Sequence, residues 1–140
     1  EIMNIERLSF PEYPYPTEVF KTLLKNYGKY FLIAKSKGII SGYVCGRIFR
    51  EKFGEIISIA VKPDFRHKGI GRKLMLEIES RFKDNGIKFT RLEVSVKNTI
   101  AIKFYESLGY EIMKLTKSYY PDGSDALTLI KFLEENSELN

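Results

Sequence analysis

The chain has 140 residues, of which 44% are hydrophobic and 29% charged, and its 23 Lys and Arg side chains give a net charge of +5 against 18 Asp and Glu. This length suits one domain, and one Cys and one His exclude a zinc or iron–sulfur site and an internal disulfide. No apolar run approaches the roughly 18 residues of a membrane span, and no secretory signal pattern appears, so we expect a single cytoplasmic domain over residues 1–140, without metal.

The N-terminal half predicts two helices and then three strands. Apolar residues at helical spacing begin the chain, and a loop with three prolines, residues 11–16, separates them from a second helix with Thr17 as its N-cap. A Lys-Gly turn joins two β-rich runs, residues 30–35 and 39–49, into an antiparallel hairpin, and residues 55–61 form the third strand.

The C-terminal half predicts two further helices and three further strands. One helix covers residues 70–86, a strand covers residues 89–96, and Asn98 is the predicted cap of the last helix. Residues 110–119 and 126–133 flank a Pro-Asp-Gly turn and form a long hairpin. The order α-α-β-β-β-α-β-α-β-β indicates a mixed α/β fold.

The positive charge is concentrated in one stretch. Residues 62–91 contain nine basic and four acidic side chains, whereas the other 110 residues contain 14 of each sign. This distribution indicates an anionic partner, either a phosphorylated small molecule or nucleic acid.

Within that stretch, residues 66–72 read Arg-His-Lys-Gly-Ile-Gly-Arg, after a predicted strand and at the start of a predicted helix. Glycines let backbone approach a ligand, and N–H groups at a helix N-terminus form a cradle for a pyrophosphate. The pattern is not a P-loop, and Leu74 replaces the third glycine of the dinucleotide-binding motif. On these residues alone, an ordinary strand-to-helix turn with surface charges is an equally good interpretation.

The residues around this turn resemble those of a known family. Arg66, Gly69 and Gly71 match the Arg/Gln-x-x-Gly-x-Gly/Ala pyrophosphate signature of the GNAT superfamily of acetyl-CoA-dependent N-acetyltransferases. Asn98 and the run Phe-Tyr-Glu-Ser-Leu-Gly-Tyr at residues 104–110 follow at the family's spacing, and the resemblance covers residues 1–133.

A narrower resemblance is to protein N-terminal acetyltransferases, in particular ribosomal-protein alanine acetyltransferases and their archaeal relatives. It rests on Phe10-Pro11, the strand at residues 58–61, Leu-Glu-Val at residues 92–94, and Tyr119-Tyr120 followed by proline.

The resemblance implies a mixed, mostly antiparallel twisted sheet with about four helices. Its parallel central strands, residues 55–61 and 89–96, would splay into a V-shaped cleft for CoA, and no metal is implied. Since the sequence begins inside the first helix, we expect the family's first strand to be missing from the sequence as given. The residues implied to bind acetyl-CoA are Ile59, Ala60, Val61, Arg66, His67, Lys68, Gly69, Ile70, Gly71, Arg72, Asn98 and Tyr105.

Three side chains are candidates for catalysis. Glu93 lies in the polar alternation of its strand and matches the position that alanine acetyltransferases use as the base. Glu55, predicted to share a strand face with Ile57 and Ile59, is a second carboxylate that acts directly as a base, acts through a water, or steers the substrate. Tyr105 matches the family's general acid. A carboxylate of ordinary basicity favours an α-amine, of pKa about 7.7–8.0, over a Lys amine of about 10.4.

The expected reaction is therefore acetyl transfer to protein N-termini by direct attack in a ternary complex, with a ribosomal protein among the candidate targets and a monomer or weak dimer as the enzyme. Acetylation of Lys side chains or small amines is the alternative, and a nucleic-acid-binding module a distant one. The aromatic loops, which include Tyr15, are expected to form a narrow entrance. The residues predicted to bind the peptide are Phe10, Pro11, Glu12, Tyr13, Tyr119 and Tyr120.

Overall fold

The fold comes from a computed structural model that describes residues 1–11 and 13–133. Within these residues, the helices are α1 (Ile2–Ser9), α2 (Thr17–Tyr27), α3 (Ile70–Asp84) and α4 (Thr99–Ser107). The strands are β1 (Phe31–Ser36), β2 (Ile39–Phe49), β3 (Phe53–Val61), β4 (Phe89–Ser95), β5 (Glu111–Thr116) and β6 (Ala126–Phe132). The predicted order of helices and strands is confirmed.

The six strands in the described part of the chain form one sheet in the order β1-β2-β3-β4-β6-β5. Every neighbouring pair is antiparallel except β3 and β4, which are parallel. These two strands pair only at Gly54 with Thr90 and at Glu55 with Arg91, and they separate beyond Glu55. The predicted splay of the central strands is confirmed.

Helices cover both faces of the sheet. On one face, Phe20 and Leu23 of α2 pack with Ile5 of α1 against Tyr43, and we call this the α1/α2 face. On the other, the α3/α4 face, buried side chains of α3 such as Ile78 pack against β2, β3 and β4. The longest described helix, α3, has 15 residues. In residues 1–11 and 13–133, no helix is long and apolar enough to cross a membrane.

A β-bulge interrupts the alternation of β3. Ser58 pairs with Cys45 and Ile56 pairs with Gly46, so Ile57 has no partner on β2. An extra residue of this kind shifts the later side chains of the strand to the opposite faces.

The bulge corrects one prediction. Ile57 packs on the α1/α2 face, whereas Ile59 packs on the α3/α4 face. Glu55 therefore shares its face with Ile57 and not with Ile59, because simple alternation does not hold across the bulge.

Two predicted boundaries also move. Pro16, in extended conformation, is the N-cap of α2 and Thr17 is its first helical residue, so the prediction of Thr17 as the cap is wrong. The strand predicted to reach residue 119 ends at Thr116. Ser118 adopts a φ of +52°, and its N–H donates to Asp125 Oδ1 at 2.9 Å instead of to a neighbouring strand.

Candidate active site

The gap between β3 and β4 exposes backbone groups of β3. Lys62 N–H donates to Ser41 O on β2 at 2.7 Å. Peptide groups alternate in direction along a strand, so Ala60 also points to β2, while Ile59 and Val61 point toward the gap. Of the three predicted backbone ligands on β3, the structure turns Ile59 and Val61 toward the gap and Ala60 away from it.

The turn after β3 leads directly into α3. His67 and Gly69 adopt positive φ values of 63° and 82°, and Gly69 is the residue before the first helical turn. The first intrahelical bond donates from Lys73 N–H to Gly69 O at 3.1 Å. The preceding N–H groups, those of residues 70–72, have no partner inside the helix, which is the arrangement that the predicted anion cradle requires.

Gly71 has a packing reason for being glycine. A Cβ at this position would lie 3.3 Å from the ring of Phe104, so the absence of a side chain lets α3 approach α4 closely. At Gly69 a Cβ would meet open space, and there the positive φ is what favours glycine. The two glycines of the motif thus serve different purposes, a turn and a helix contact, rather than both opening the backbone to a ligand.

Exposed basic side chains surround this turn. Lys68, Arg72 and Lys73 are exposed, and none forms a salt bridge with a described carboxylate. Arg66 differs, because its Nε donates to Val61 O at 2.9 Å and its Nη2 reaches Ser9 Oγ at 3.5 Å. Arg66 therefore holds the turn against the end of β3, while the other three leave their positive charge open to an anion.

Asn98 and Tyr105 belong to α4, the helix whose Phe104 contacts Gly71 at the start of α3. Asn98 is the predicted cap, since its Oδ1 accepts the N–H of Ala101 at 3.1 Å. Tyr105 is half-buried against the rings of Phe104 and Tyr110, and its hydroxyl has no hydrogen-bond partner among the described residues. Burial, and then the neighbouring Tyr120, raises the pKa of Tyr105 above its ordinary value. The hydroxyl is consequently a neutral donor.

The two candidate carboxylates lie together on the α1/α2 face. Glu55 Oε1 is 3.3 Å from Arg47 Nη2, and Glu93 Oε2 is 3.5 Å from Arg91 Nε. Their side chains are 19% and 22% exposed, so solvent and substrate can reach both. Glu55 lies where β3 and β4 still pair, whereas Glu93 lies two residues beyond the last pair, beside the gap.

Tyrosines from two loops face these carboxylates. The rings of Tyr119 and Tyr120 lie 4.9 Å apart in an edge-on contact. Burial and then the negative charges of Glu93 and Glu55 raise the pKa of Tyr119. Burial raises the pKa of Tyr120 to about 12, with Tyr119, Tyr15 and Glu93 adding to it. Tyr15, Tyr119 and Tyr120 thus lie within electrostatic range of one another and of Glu93 or Glu55, and we call these five residues the cluster.

A groove of about 440 Å³ opens beside Glu55, between α2 and the sheet. Its floor is apolar, and its rim is polar and charged. The lining residues are Tyr15, Glu18, Val19, Thr22, Leu23, Arg47, Glu55 and Ile57.

The structure shows no contact between this cluster and the other predicted loop residues that it describes. Phe10 packs against the core of the α1/α2 face, Pro11 is exposed, and Tyr13 is exposed without a ring contact or a hydrogen bond to the described residues. Glu12 lies outside the described residues, and its predicted role in the site stays a prediction.

Sequence reasoning missed Arg47 and Glu18, and left Tyr15 outside the predicted peptide ligands. Arg47 had a usable signal, because the β2–β3 hairpin pairs Phe49 with Phe53 and so sets Arg47 opposite Glu55. Glu18 had no local signal, since only the packing of α2 on the sheet brings it to the groove.

Comparison with known proteins gives a consistent picture. The model of the Acetyltransferase (GNAT) family matches residues 1–110. An N-alpha-acetyltransferase of Saccharolobus solfataricus is 35% identical over 143 residues, which cover 94% of this chain and 85% of that protein. A ribosomal protein bS18-alanine N-acetyltransferase of Haemophilus ducreyi is 35% identical over 108 residues, which cover 74% of this chain and 73% of that protein.

Among solved structures, Ard1 from Thermoplasma volcanium superimposes with a TM-score of 0.90 at 28% identity, and the match covers 96% of this chain and 90% of Ard1.

Proposed function

The chain belongs to the GNAT acetyltransferase family, and we propose that it transfers the acetyl group of acetyl-CoA to the N-terminal α-amine of a protein or peptide. The observation that carries the proposal is the cluster of Glu93, Glu55 and the tyrosines beside the gap between β3 and β4. That cluster supplies a base for an amine on the α1/α2 face of the sheet, and the anion cradle lies on the α3/α4 face.

The described residues fit acetyl-CoA. The N–H groups at the start of α3 suit a pyrophosphate, and Lys68, Arg72 and Lys73 add unpaired positive charge. The peptide groups of Ile59, and the N–H of Val61, whose carbonyl already accepts from Arg66 Nε, can bind an extended polar chain in the gap as a further strand would. When bound, acetyl-CoA supplies an activated acetyl thioester, and the backbone donors of β3 polarise its carbonyl.

Glu93 is the proposed base. The substrate ammonium must lose one proton before its nitrogen attacks, and a carboxylate beside the gap accepts that proton. Arg91, at 3.5 Å, holds the carboxylate in place. Glu55 lies further from the gap and is held by Arg47, so its proposed role is to attract the substrate ammonium.

Tyr105 is the proposed proton donor. As the C–S bond breaks, the departing sulfur gains an electron pair, and a neutral phenol without a partner can donate its hydrogen bond or its proton to it. The raised pKa of Tyr105 makes the phenol a weak acid, so hydrogen-bond donation is the larger part of its role.

Transfer is proposed to be direct, without an acyl-enzyme. The thiol of Cys45 is fully buried. Burial, and then the charge of Glu6, raises its pKa to about 12, so it is not a thiolate at neutral pH.

An α-amine suits this site better than a Lys side chain. Deprotonating a Lys amine costs roughly 3 kcal/mol more than deprotonating an α-amine, and no described group beside Glu93 offsets that difference. The cluster also offers three neutral hydroxyl donors, those of Tyr15, Tyr119 and Tyr120. These hydroxyls can donate hydrogen bonds to the first peptide carbonyls of a bound N-terminus.

The direct test is a competition between amines. The chain is incubated with acetyl-CoA, a peptide with a free N-terminus and an internal Lys, the same peptide with a blocked N-terminus, and a polyamine. We expect mass spectrometry to find the acetyl group on the α-amine alone. Faster acetylation of the blocked peptide or of the polyamine would contradict the proposal and favour the alternative substrates.

A further inference from the structure

A buried carboxyl group connects the tyrosine cluster to the sheet. Glu6 of α1 is 1% exposed. Its Oε2 accepts the backbone N–H of Tyr15 at 2.8 Å, and its Oε1 accepts the hydroxyls of Ser58, at 2.8 Å, and of Tyr43. One side chain therefore links α1, the loop before α2, β2 and β3.

A carboxyl group is an unexpected choice for this position. Its neighbours on the α1/α2 face, such as Ile5 and Phe20, form an apolar core, and an apolar side chain of similar volume generally stabilises such a core as well as a buried charge does. What an apolar side chain cannot do is accept hydrogen bonds. The reason for Glu6 therefore lies in the donors that it holds.

Tyr15 is the donor that depends most on Glu6. It lies between Pro14 and Pro16, which have no N–H groups, so its own N–H is the single backbone donor of this short stretch. The residue Tyr15 is 42% exposed, so burial alone does not fix its ring. Holding the N–H sets where the ring lies relative to Tyr119 and Glu55.

Ser58 is the residue of β3 that Glu6 binds at the other end of this link. It follows the bulged Ile57 and lies on the same α1/α2 face, and so it marks the point where the alternation of β3 side chains shifts by one residue. A carboxyl group bonded to both Ser58 and Tyr15 fixes the loop before α2 to β3 at its bulge.

We infer that Glu6 is a positioning residue for the peptide: it anchors the loop that carries Tyr15 to the bulge of β3. The inference rests on the proposed function. Glu6 does not touch substrate, and its loss is expected to weaken peptide binding while leaving acetyl-CoA binding intact.

The chain offers a matched control on the opposite face. Glu79 of α3 is also a buried carboxyl group, and it accepts the hydroxyl of Tyr110 at 2.8 Å and Lys131 Nζ at 2.7 Å. Its partners hold α3 to the sheet and include no tyrosine of the cluster. A variant of Glu79 therefore loses a buried carboxyl group without loosening the Tyr15 loop.

The experiment compares Glu6→Met with Glu79→Met in the full chain. Met has a similar length and accepts no strong hydrogen bond. We expect Glu6→Met to raise the peptide KM about tenfold or more, because small misplacements of a binding group are costly, with an unchanged acetyl-CoA Kd. Glu79→Met is expected to lower Tm and leave the peptide KM unchanged. Glu6→Gln, whose side-chain oxygen can still accept a hydrogen bond from the Tyr15 N–H, is expected to have a peptide KM close to that of the wild type.

A second readout does not need activity. The amide of Tyr15 is expected to exchange with deuterium slowly in the wild type and much faster in Glu6→Met. Should Glu6→Met fail to fold, Tyr43→Phe removes one of the hydroxyls that hold Glu6 and is expected to shift both readouts in the same direction by less.

The outcomes separate the two proposals. Equal peptide KM values in Glu6→Met and the wild type, or a rise that Glu79→Met matches, would overturn the inference about Glu6. If the wild type acetylates no peptide, the proposed function is wrong. Unchanged exchange of the Tyr15 amide in Glu6→Met would then still overturn the anchoring role, and faster exchange would support it.

Discussion

The two faces of the sheet build their proposed ligand sites in different ways. On the α3/α4 face, the cradle is built from backbone N–H groups of one continuous turn, residues 66–72, with exposed basic side chains around it. On the α1/α2 face, the candidate site is built from side chains of separate segments: Glu55, Glu93, Tyr15 and Tyr119. The proposed anion site is thus a local feature of the chain, whereas the proposed amine site depends on how distant segments pack.

The largest effect is expected from removing the negative charge of Glu93 on the α1/α2 face. Glu93→Gln removes the proposed base without changing its size, and kcat should fall about 100-fold to 10,000-fold, while the acetyl-CoA Kd stays the same. Steady-state kinetics and calorimetry measure the two quantities. Glu55→Gln is the control and should raise the peptide KM more than it lowers kcat. A normal kcat in Glu93→Gln would move the base elsewhere.

Tyr105 lies on the α3/α4 face, and its proposed role is in the chemical step. Tyr105→Phe removes the unpartnered hydroxyl and keeps the ring packing against Tyr110. We expect kcat to fall roughly 10-fold to 100-fold, at the lower end of proton-transfer effects because the phenol mainly donates a hydrogen bond. Rapid-mixing kinetics would measure the chemical step directly. A loss of acetyl-CoA affinity in place of a loss of kcat would assign Tyr105 to binding alone.

Smaller effects are expected for the tyrosines that are proposed to bind the peptide. Tyr119→Phe and Tyr120→Phe each remove one proposed hydrogen bond to a peptide carbonyl, and each should raise the peptide KM about threefold to tenfold. Tyr13→Phe is the matched control, because Tyr13 is exposed and outside the cluster, and it should leave KM unchanged. Equal effects of all three substitutions would remove the cluster from the peptide site.

The pH profile gives a milder test of the same site. Because burial raises the pKa of Tyr105 and brings that of Tyr120 to about 12, both phenols stay protonated throughout the usual working range. The value of kcat, measured with saturating substrate so that ionisation of the free α-amine does not enter, should therefore stay level up to about pH 10. A fall between pH 8 and pH 10 would show that a phenol titrates earlier than its environment implies.

The difference between the faces also explains what could be predicted from the sequence. The turn before α3 was predictable because its glycines, its basic residues and the following helix are adjacent in the chain. The separation of β3 from β4 came from the family resemblance and is confirmed by pairing that ends at Glu55. The bulge at Ile57 was not predictable from alternation, and it changed which residues share the face of Glu55.

The peptide side was harder to predict because its residues meet only through packing. Tyr13 and Tyr15 are two residues apart in a Pro-rich loop, and nothing local says which ring turns toward Tyr119. The hydrogen bond from the Tyr15 N–H to Glu6 supplies that information, and it joins residues nine positions apart across a loop.

The most direct test of the account is an amide NMR titration with acetyl-CoA. The central claim is that the donor occupies the gap between β3 and β4 and the cradle before α3. We expect saturable shifts at submillimolar acetyl-CoA, largest at the amides of Ile59 and Val61 and of residues 67–72. Absence of binding at millimolar acetyl-CoA, or shifts confined to the α1/α2 face, would contradict the account.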